Sequence, residues 1–199
     1  MKLKINSLHL KQIGLLLLLF FPIYLFLVKY GYGVVYYGIS KKNYQHDIVT
    51  ITLPWGWFSG RFKDGFPLGF LSYDQQNSVF FEFYDIDALD DNKYEQAITN
   101  HLKNSIQCYY SNINNNETFL FKKRFENKIV IFAYIPHIRL EIFYESEDGK
   151  QAKWIDEQHE KRIKRILSNI EVDKNGNKLY YDIDGSLKST IYSKCEEFK

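Results

Sequence analysis

Residues 118–145 read TFLFKKRFENKIVIFAYIPHIRLEIFYE. Two breaks divide this stretch. Glu126-Asn127 suits a two-residue hairpin turn, and Pro136-His137 interrupts the next pairing. The three pieces, 118–125, 128–135 and 138–145, are rich in Phe, Ile, Tyr and Val, the composition of strands. Downstream, Asp148-Gly149 is a turn. Residues 152–170 then place Ile155, His159, Ile163, Ile166, Leu167 and Ile170 on one helical stripe. Upstream, Asn112 to Asn116 form a polar loop. Before that, Asp90-Asp91-Asn92 supplies capping residues for a helix with Tyr94, Ala97, Ile98, Leu102, Ser105, Ile106 and Tyr109 on one face. Three earlier strands are expected at 48–53, 68–73 and 79–84.

The order is therefore strands, helix, strands, helix. Segregated runs of this kind predict an α+β fold, an antiparallel-sheet sandwich with two helices in the order βββ-α-βββ-α, and not a parallel doubly wound sheet. The domain spans residues 48–172, and about 125 residues suffice to bury a core. Aromatic residues make up 18% of the chain, with 16 Tyr and 16 Phe, which excludes disorder of the whole.

The first strand runs into Leu53-Pro54-Trp55-Gly56-Trp57, with a Gly-bearing turn behind it. This opening and the element order after it resemble the PsbP-like superfamily, which includes DcrB-like envelope lipoproteins and some secretion-effector chaperones. The "proline, then Trp" element, here Pro54 and Trp57, is the motif that carries the likeness. The resemblance implies a protein-binding or accessory domain with no shared catalytic residues, so no site residue transfers.

The amino-terminal segment has a different character. Residues 13–28 read IGLLLLLFFPIYLFLV, without a charge. At 1.5 Å per residue the run is about 24 Å long, and Leu8, Leu10, Tyr30 and Tyr32 extend it toward the roughly 30 Å hydrocarbon layer. Residues 1–30 are thus expected to anchor the chain in a membrane through 8–30, with residues 31–47 as a Gly- and Tyr-rich connector. A cleaved signal needs a small-x-small site, and Gly31-Tyr32-Gly33 is the only nearby candidate. Lys2, Lys4, Lys11 and the terminal amine precede the run, whereas Lys29, Lys41 and Lys42 follow it. That balance favours a cytoplasmic amino terminus, a single pass through the inner (plasma) membrane and a periplasmic or extracellular domain.

The tail, 173–199, holds Asn175-Gly176, a run from Lys178 to Asp182, Asp184-Gly185 and a run from Ser186 to Tyr192. Two runs around an Asp-Gly pair predict a β-hairpin. The spacing of Tyr181, Gly185, Leu187 and Tyr192 resembles one MORN-variant repeat of YwqK-type antitoxin proteins.

Net charge is +2 and the pI about 8.3. Residues 1–47 carry six Lys and one Asp, a net of +5. Subtracting that from +2 leaves −3 for the rest, which argues against nucleic-acid binding, where a basic face is needed.

Catalytic patterns are lacking. His159-Glu160 begins like H-E-x-x-H, but Ile163 stands where the second ligand belongs, and His159 lies on the apolar stripe. Asp173, Asn175 and Asn177 match the start of an EF-hand loop, but Lys178 replaces its obligatory Gly. Asp85, Asp87, Asp90 and Asp91 read as a strand exit and helix cap. Residues 56–60, Gly-Trp-Phe-Ser-Gly, are no nucleophile elbow, because one residue too many separates Gly56 from Ser59 and no helix is expected to follow. No cofactor or metal site is predicted. Cys108 falls beside the apolar helix face and Cys195 in the tail, and whether they pair stays open. The remaining candidate is an interaction surface of Trp55, Trp57, Phe58, Phe62 and Phe66, large aromatics on a Gly-rich stretch. The reading is a non-enzymatic, membrane-anchored envelope protein that binds another protein as an accessory or immunity-type module. The alternatives are an enzyme assembled from His101, His137 and distant acids, and a structural subunit of a membrane complex.

Overall fold

Helix α1 spans Ser7–Ile39, 33 residues with Pro22 inside, about 50 Å of continuous helix. The computed structural model describes residues 7–46, 48–59, 68–74, 76–83, 91–125, 128–146, 153–173 and 182–197. The stretch Gly14–Ile39 is long and apolar enough to cross a membrane. From Leu15 to Val28 its described apolar side chains are all exposed.

The helix corrects the expected connector. It passes through Gly31, Gly33 and Gly38 and ends near Ser40, whose N–H donates to the Tyr36 carbonyl at 2.9 Å. Each interior glycine costs about 1 kcal/mol of helix propensity relative to alanine. Packing of this section against the domain offsets that cost, as tertiary contact usually does for helices.

The strands follow in order. β1 (Asn43–His46), β2 (Val49–Thr52) and β10 (Ile170–Val172) form a small antiparallel sheet in the order β1-β2-β10. β3 (Trp57–Ser59), β4 (Leu68–Ser72), β5 (Asn77–Phe83), β6 (Gln107–Ile113), β7 (Asn116–Phe125), β8 (Lys128–Ile135), β9 (Leu140–Ser146) and β11 (Glu196–Glu197) build the large sheet. Its order is β11-β6-β7-β8-β9-β5-β4-β3, antiparallel except where β11 joins β6. Phe125 faces Lys128 in the register, as a two-residue hairpin requires, although Glu126 and Asn127 themselves lie outside the described residues. β8 is buried along most of its length and central, in keeping with its nearly unbroken apolar run.

Two layers cover this sheet. On one face lie α2 (Asp91–Asn104) and α4 (Gly185–Lys194), where Tyr94, Ile98 and Ile191 pack on Phe119, Phe121 and Tyr134. On the other lie α3 (Lys153–Leu167) and the small sheet, where Ile163, Ile166, Leu167, Val49 and Ile51 pack on Val79, Phe81, Ile131 and Ile142. The chain is thus α+β, with an apolar amino-terminal helix and a mixed large sheet.

Two elements differ from expectation. Residues 107–113, read as helix end and polar loop, are strand β6. Asn114 and Asn115 take positive φ, 52° and 61°, and so make a two-residue hairpin turn from the expected loop. The tail is helical where the second hairpin strand was expected. The Asp184 carboxylate accepts the N–H groups of Ser186 and Leu187 at 3.0 and 3.2 Å, so Asp184-Gly185 is a helix start. Gly185, Leu187 and Tyr192 of the repeat-like spacing sit on α4, whereas Tyr181 lies outside the described residues. Cys108 is on β6 and is bonded to Cys195, with Cα atoms 4.8 Å apart.

Candidate functional site

The aromatic stretch singled out in the sequence lies where α1 meets the domain. Pro54 to Trp57 form a β-turn closed by Trp57 N–H donating to the Pro54 carbonyl at 3.2 Å. Gly56 occupies its third position at φ 97°, a conformation that suits glycine. This turn separates its neighbours. Trp57 is 4% exposed and meets Tyr144 edge-on in the core, whereas Trp55 is 58% exposed. Phe58 points away from Trp57, is 2% exposed and packs against Tyr32 and Tyr36 of α1, ring centroids 5.7 Å away in each case. Of the five candidate surface aromatics, Trp57 and Phe58 are therefore packed inside. Trp55 remains at the surface, and Phe62 and Phe66 lie outside the described residues.

The junction is tight. A Cβ on Gly33 would come within 2.4 Å of Tyr73 Cα and 2.8 Å of its carbonyl oxygen. Tyr37, one turn on, meets Trp55 and Tyr73 edge-on at 5.2 and 5.8 Å, and Trp55 meets Tyr73 at 5.4 Å. Lys42 lies over the Tyr37 ring and donates to the Tyr37 carbonyl. Gly33→Ala is expected to cost about 1–3 kcal/mol through overpacking against backbone. Gly38→Ala, with open space at its Cβ, is expected to stabilise α1 by up to about 1 kcal/mol. Thermal unfolding in detergent, with limited proteolysis of residues 30–47, separates the two. Equal behaviour of the variants would contradict the close approach.

The buried polar residues form a clamp between α3 and the sheet. The Tyr144 hydroxyl donates to Asn77 Oδ1 at 2.9 Å and lies 2.9 Å from His159 Nδ1. With its proton committed to Asn77, the hydroxyl accepts from Nδ1–H, which sets the histidine tautomer. Burial pushes the Tyr144 hydroxyl's pKa well above its ordinary value, so it stays protonated. His159 is buried in this clamp. Glu160 turns aside and accepts from Lys122 Nζ at 3.3 Å and the Tyr109 hydroxyl at 3.2 Å. The His-Glu pair thus serves packing. Among the described residues no group of three His, Cys, Asp or Glu could hold a metal ion. Asn175, Asn177, Asp85, Asp87 and Asp90 lie outside the described residues.

The two histidines named for an enzymatic alternative lie on opposite faces of the large sheet. His101 stacks on Phe132 at 3.8 Å on the α2 side. His137 Nε2 meets Asn116 Oδ1 at 3.1 Å, and Asn116 Nδ2 donates to the Ile170 carbonyl on the other side. The sheet does not bring them together. Asn116, which opens the glycosylation sequence Asn116-Glu117-Thr118, is buried.

One feature escaped the sequence reading. Beside α2 lies a shallow cavity of about 270 Å³, lined by Phe80, Glu82, His101, Phe132, Glu141 and Phe143. Its signal was present as period-two alternation on two strands, Phe80/Glu82 and Glu141/Phe143, but only the β5–β9 register places the pairs opposite one another. Burial, with the Lys123 ammonium as the lesser cause, lowers the His101 pKa from 6.5 to about 4. The unfolded chain therefore binds more protons than the folded one between those values, and stability falls as pH drops through that window. With solvent screening at this half-exposed group, the loss is about 1–2 kcal/mol. Denaturant titrations at neutral pH and near pH 4 check this. His101→Gln is expected to remove that part of the slope.

No protein-family model matches the chain. No curated protein matches it by sequence. Among solved structures, the solution structure of cyanobacterial PsbP (CyanoP) from Synechocystis sp. PCC 6803 is similar over 68% of this chain and 96% of that one, with 10% identity and a TM-score of 0.39. A crystal structure from Bacteroides thetaiotaomicron VPI-5482 is similar over 70% of this chain, with 14% identity and a TM-score of 0.43. The chain spans about half of that second protein, 51%.

Proposed function

We propose that the chain is a single-pass membrane protein whose α+β domain stands outside the cytoplasm as a non-enzymatic, protein-binding module of the accessory or immunity type. The observation that carries this reading is α1. One helix is bare and apolar from Leu15 to Val28 and then locks onto the domain through Gly33. The Cys108–Cys195 disulfide supports the location, because such bonds persist in oxidising compartments. Lys2, Lys4 and Lys11 ahead of the apolar run support a cytoplasmic amino terminus. The buried His–Tyr–Asn clamp and the separation of His101 from His137 leave the domain better suited to binding than to catalysis.

Reporter fusions after Phe198 test the topology. Alkaline phosphatase there is expected to be active and a cytoplasm-dependent reporter silent, and the reverse pattern would sink the assignment. For the binding role, the full chain is crosslinked in cells and purified in mild detergent. One envelope protein is expected in stoichiometric yield, and recovery of the chain alone would defeat that role.

A further inference from the structure

The exposed apolar face of α1 runs further than its uncharged segment. Val28, Tyr32, Val35 and Ile39 recur at spacings of four, three and four, one face of a helix. Each is exposed over half or more of its surface. The domain docks on the adjoining side, through Gly33, Tyr36 and Tyr37, and Phe58 reaches the edge of the stripe at Tyr32.

Helix rise turns this into a depth scale. If the hydrocarbon layer ended at Lys29, Val35 would stand about 9 Å and Ile39 about 15 Å beyond it, both past a headgroup layer some 5–7 Å thick. A span from Leu15 to Val35 also measures about 30 Å, the full hydrocarbon thickness. In that register Lys11 lies about 6 Å outside one boundary, and Ile39, with Lys41 just after it, about 6 Å or more outside the other. Lys29 then sits about 9 Å inside, where its long stem can carry the charge toward the headgroups. Its ammonium already lies 5.2 Å from the Tyr30 ring centroid. This register leaves no apolar part of the stripe in water.

The docked edge follows the helix. Trp55 packs on Tyr37, about 3 Å above the boundary at Val35. Tryptophan is enriched at that level because its ring is apolar and its N–H is wet. We infer that the domain is seated on the bilayer that α1 crosses, with Trp55, Tyr37 and Ile39 in the headgroup layer of the leaflet facing the domain. The inference rests on the reading of α1 as a membrane span.

The test uses the full chain in phosphatidylcholine–phosphatidylglycerol vesicles and a Trp55→Phe variant, which keeps a ring against Tyr37. Vesicle flotation reports the span by itself. The fluorescence difference between wild type and variant isolates Trp55 from Trp57 and Trp154. That component is expected to be quenched strongly by lipids brominated just below the glycerol, less by lipids brominated near the chain ends, and little by aqueous iodide. In chains that float, quenching of Trp55 by iodide alone overturns the seating and leaves the span intact. Chains that do not float overturn both.

Discussion

Replacing Cys108 and Cys195 by serine is expected to cost the domain about 4–5 kcal/mol, the loop-closure value for a bridge of this length. The bridge joins residues 87 apart in sequence, strand β6 and the carboxyl end of α4. Other contacts hold that end as well: α4 buries Ile191, Lys188 pairs with Glu117 at 2.8 Å, and the Tyr192 ring meets Tyr110 and Phe119. The bridge adds to these a constraint on the unfolded chain. Guanidinium unfolding of wild type and double serine variant, both in detergent, measures the difference. The midpoint should fall markedly and α4 should become the first site of proteolysis. Coincident unfolding curves would show that the bridge contributes nothing.

Glu160→Ala is the second large effect. The Lys122 side chain is 3% exposed, and its ammonium pairs with Glu160 across the α3–sheet interface. Deleting the carboxylate removes an ion-pair partner from a buried cation, which costs up to about 3 kcal/mol. The loss belongs to the weakened compensation of the buried charge more than to the pair, so Lys122→Met in the same chain should recover most of it. A double-mutant cycle by thermal unfolding decides this. If the double variant is as unstable as Glu160→Ala alone, the ion pair is not what matters there.

The parts of the fold that could be read from sequence share a cause. β7, β8 and β9 have strong local signals, aromatic and β-branched runs separated by turn residues. β8 was expected at 128–135 and is Lys128–Ile135. The α3 stripe from His159 to Leu167 likewise follows from periodicity alone. Elsewhere a local signal had two meanings. Asp184-Gly185 suits a hairpin turn as well as a helix cap, and the packing of Ile191, a distant contact, selects the cap. Ile106 and Tyr109 extend the helical stripe of α2, yet pairing with β7 makes a strand of the segment that follows. Gly31, Gly33 and Gly38 argued for a connector because the surface that Gly33 meets is forty residues away at Tyr73.

The candidate site was legible only in part for the same reason. That Trp55, Trp57 and Phe58 belong together was visible. Which of them faces the solvent depends on the positive φ of Gly56 and on where α1 lies. The cavity beside α2 needed the β5–β9 register, and the cysteine pairing needed the whole topology.

The continuity of α1 into its docked turns leaves no swivel between its apolar stretch and the domain. A domain on a flexible tether explores a volume set by the linker. On the proposed topology this one would keep one azimuth and one height, any tilt of the span would also tilt the domain, and a partner would have to arrive within the layer just above the bilayer and in one orientation. Recognition then becomes a search in two dimensions, and lengthening the chain at Ser40 would not extend its reach, because the lock at Gly33 lies before that point.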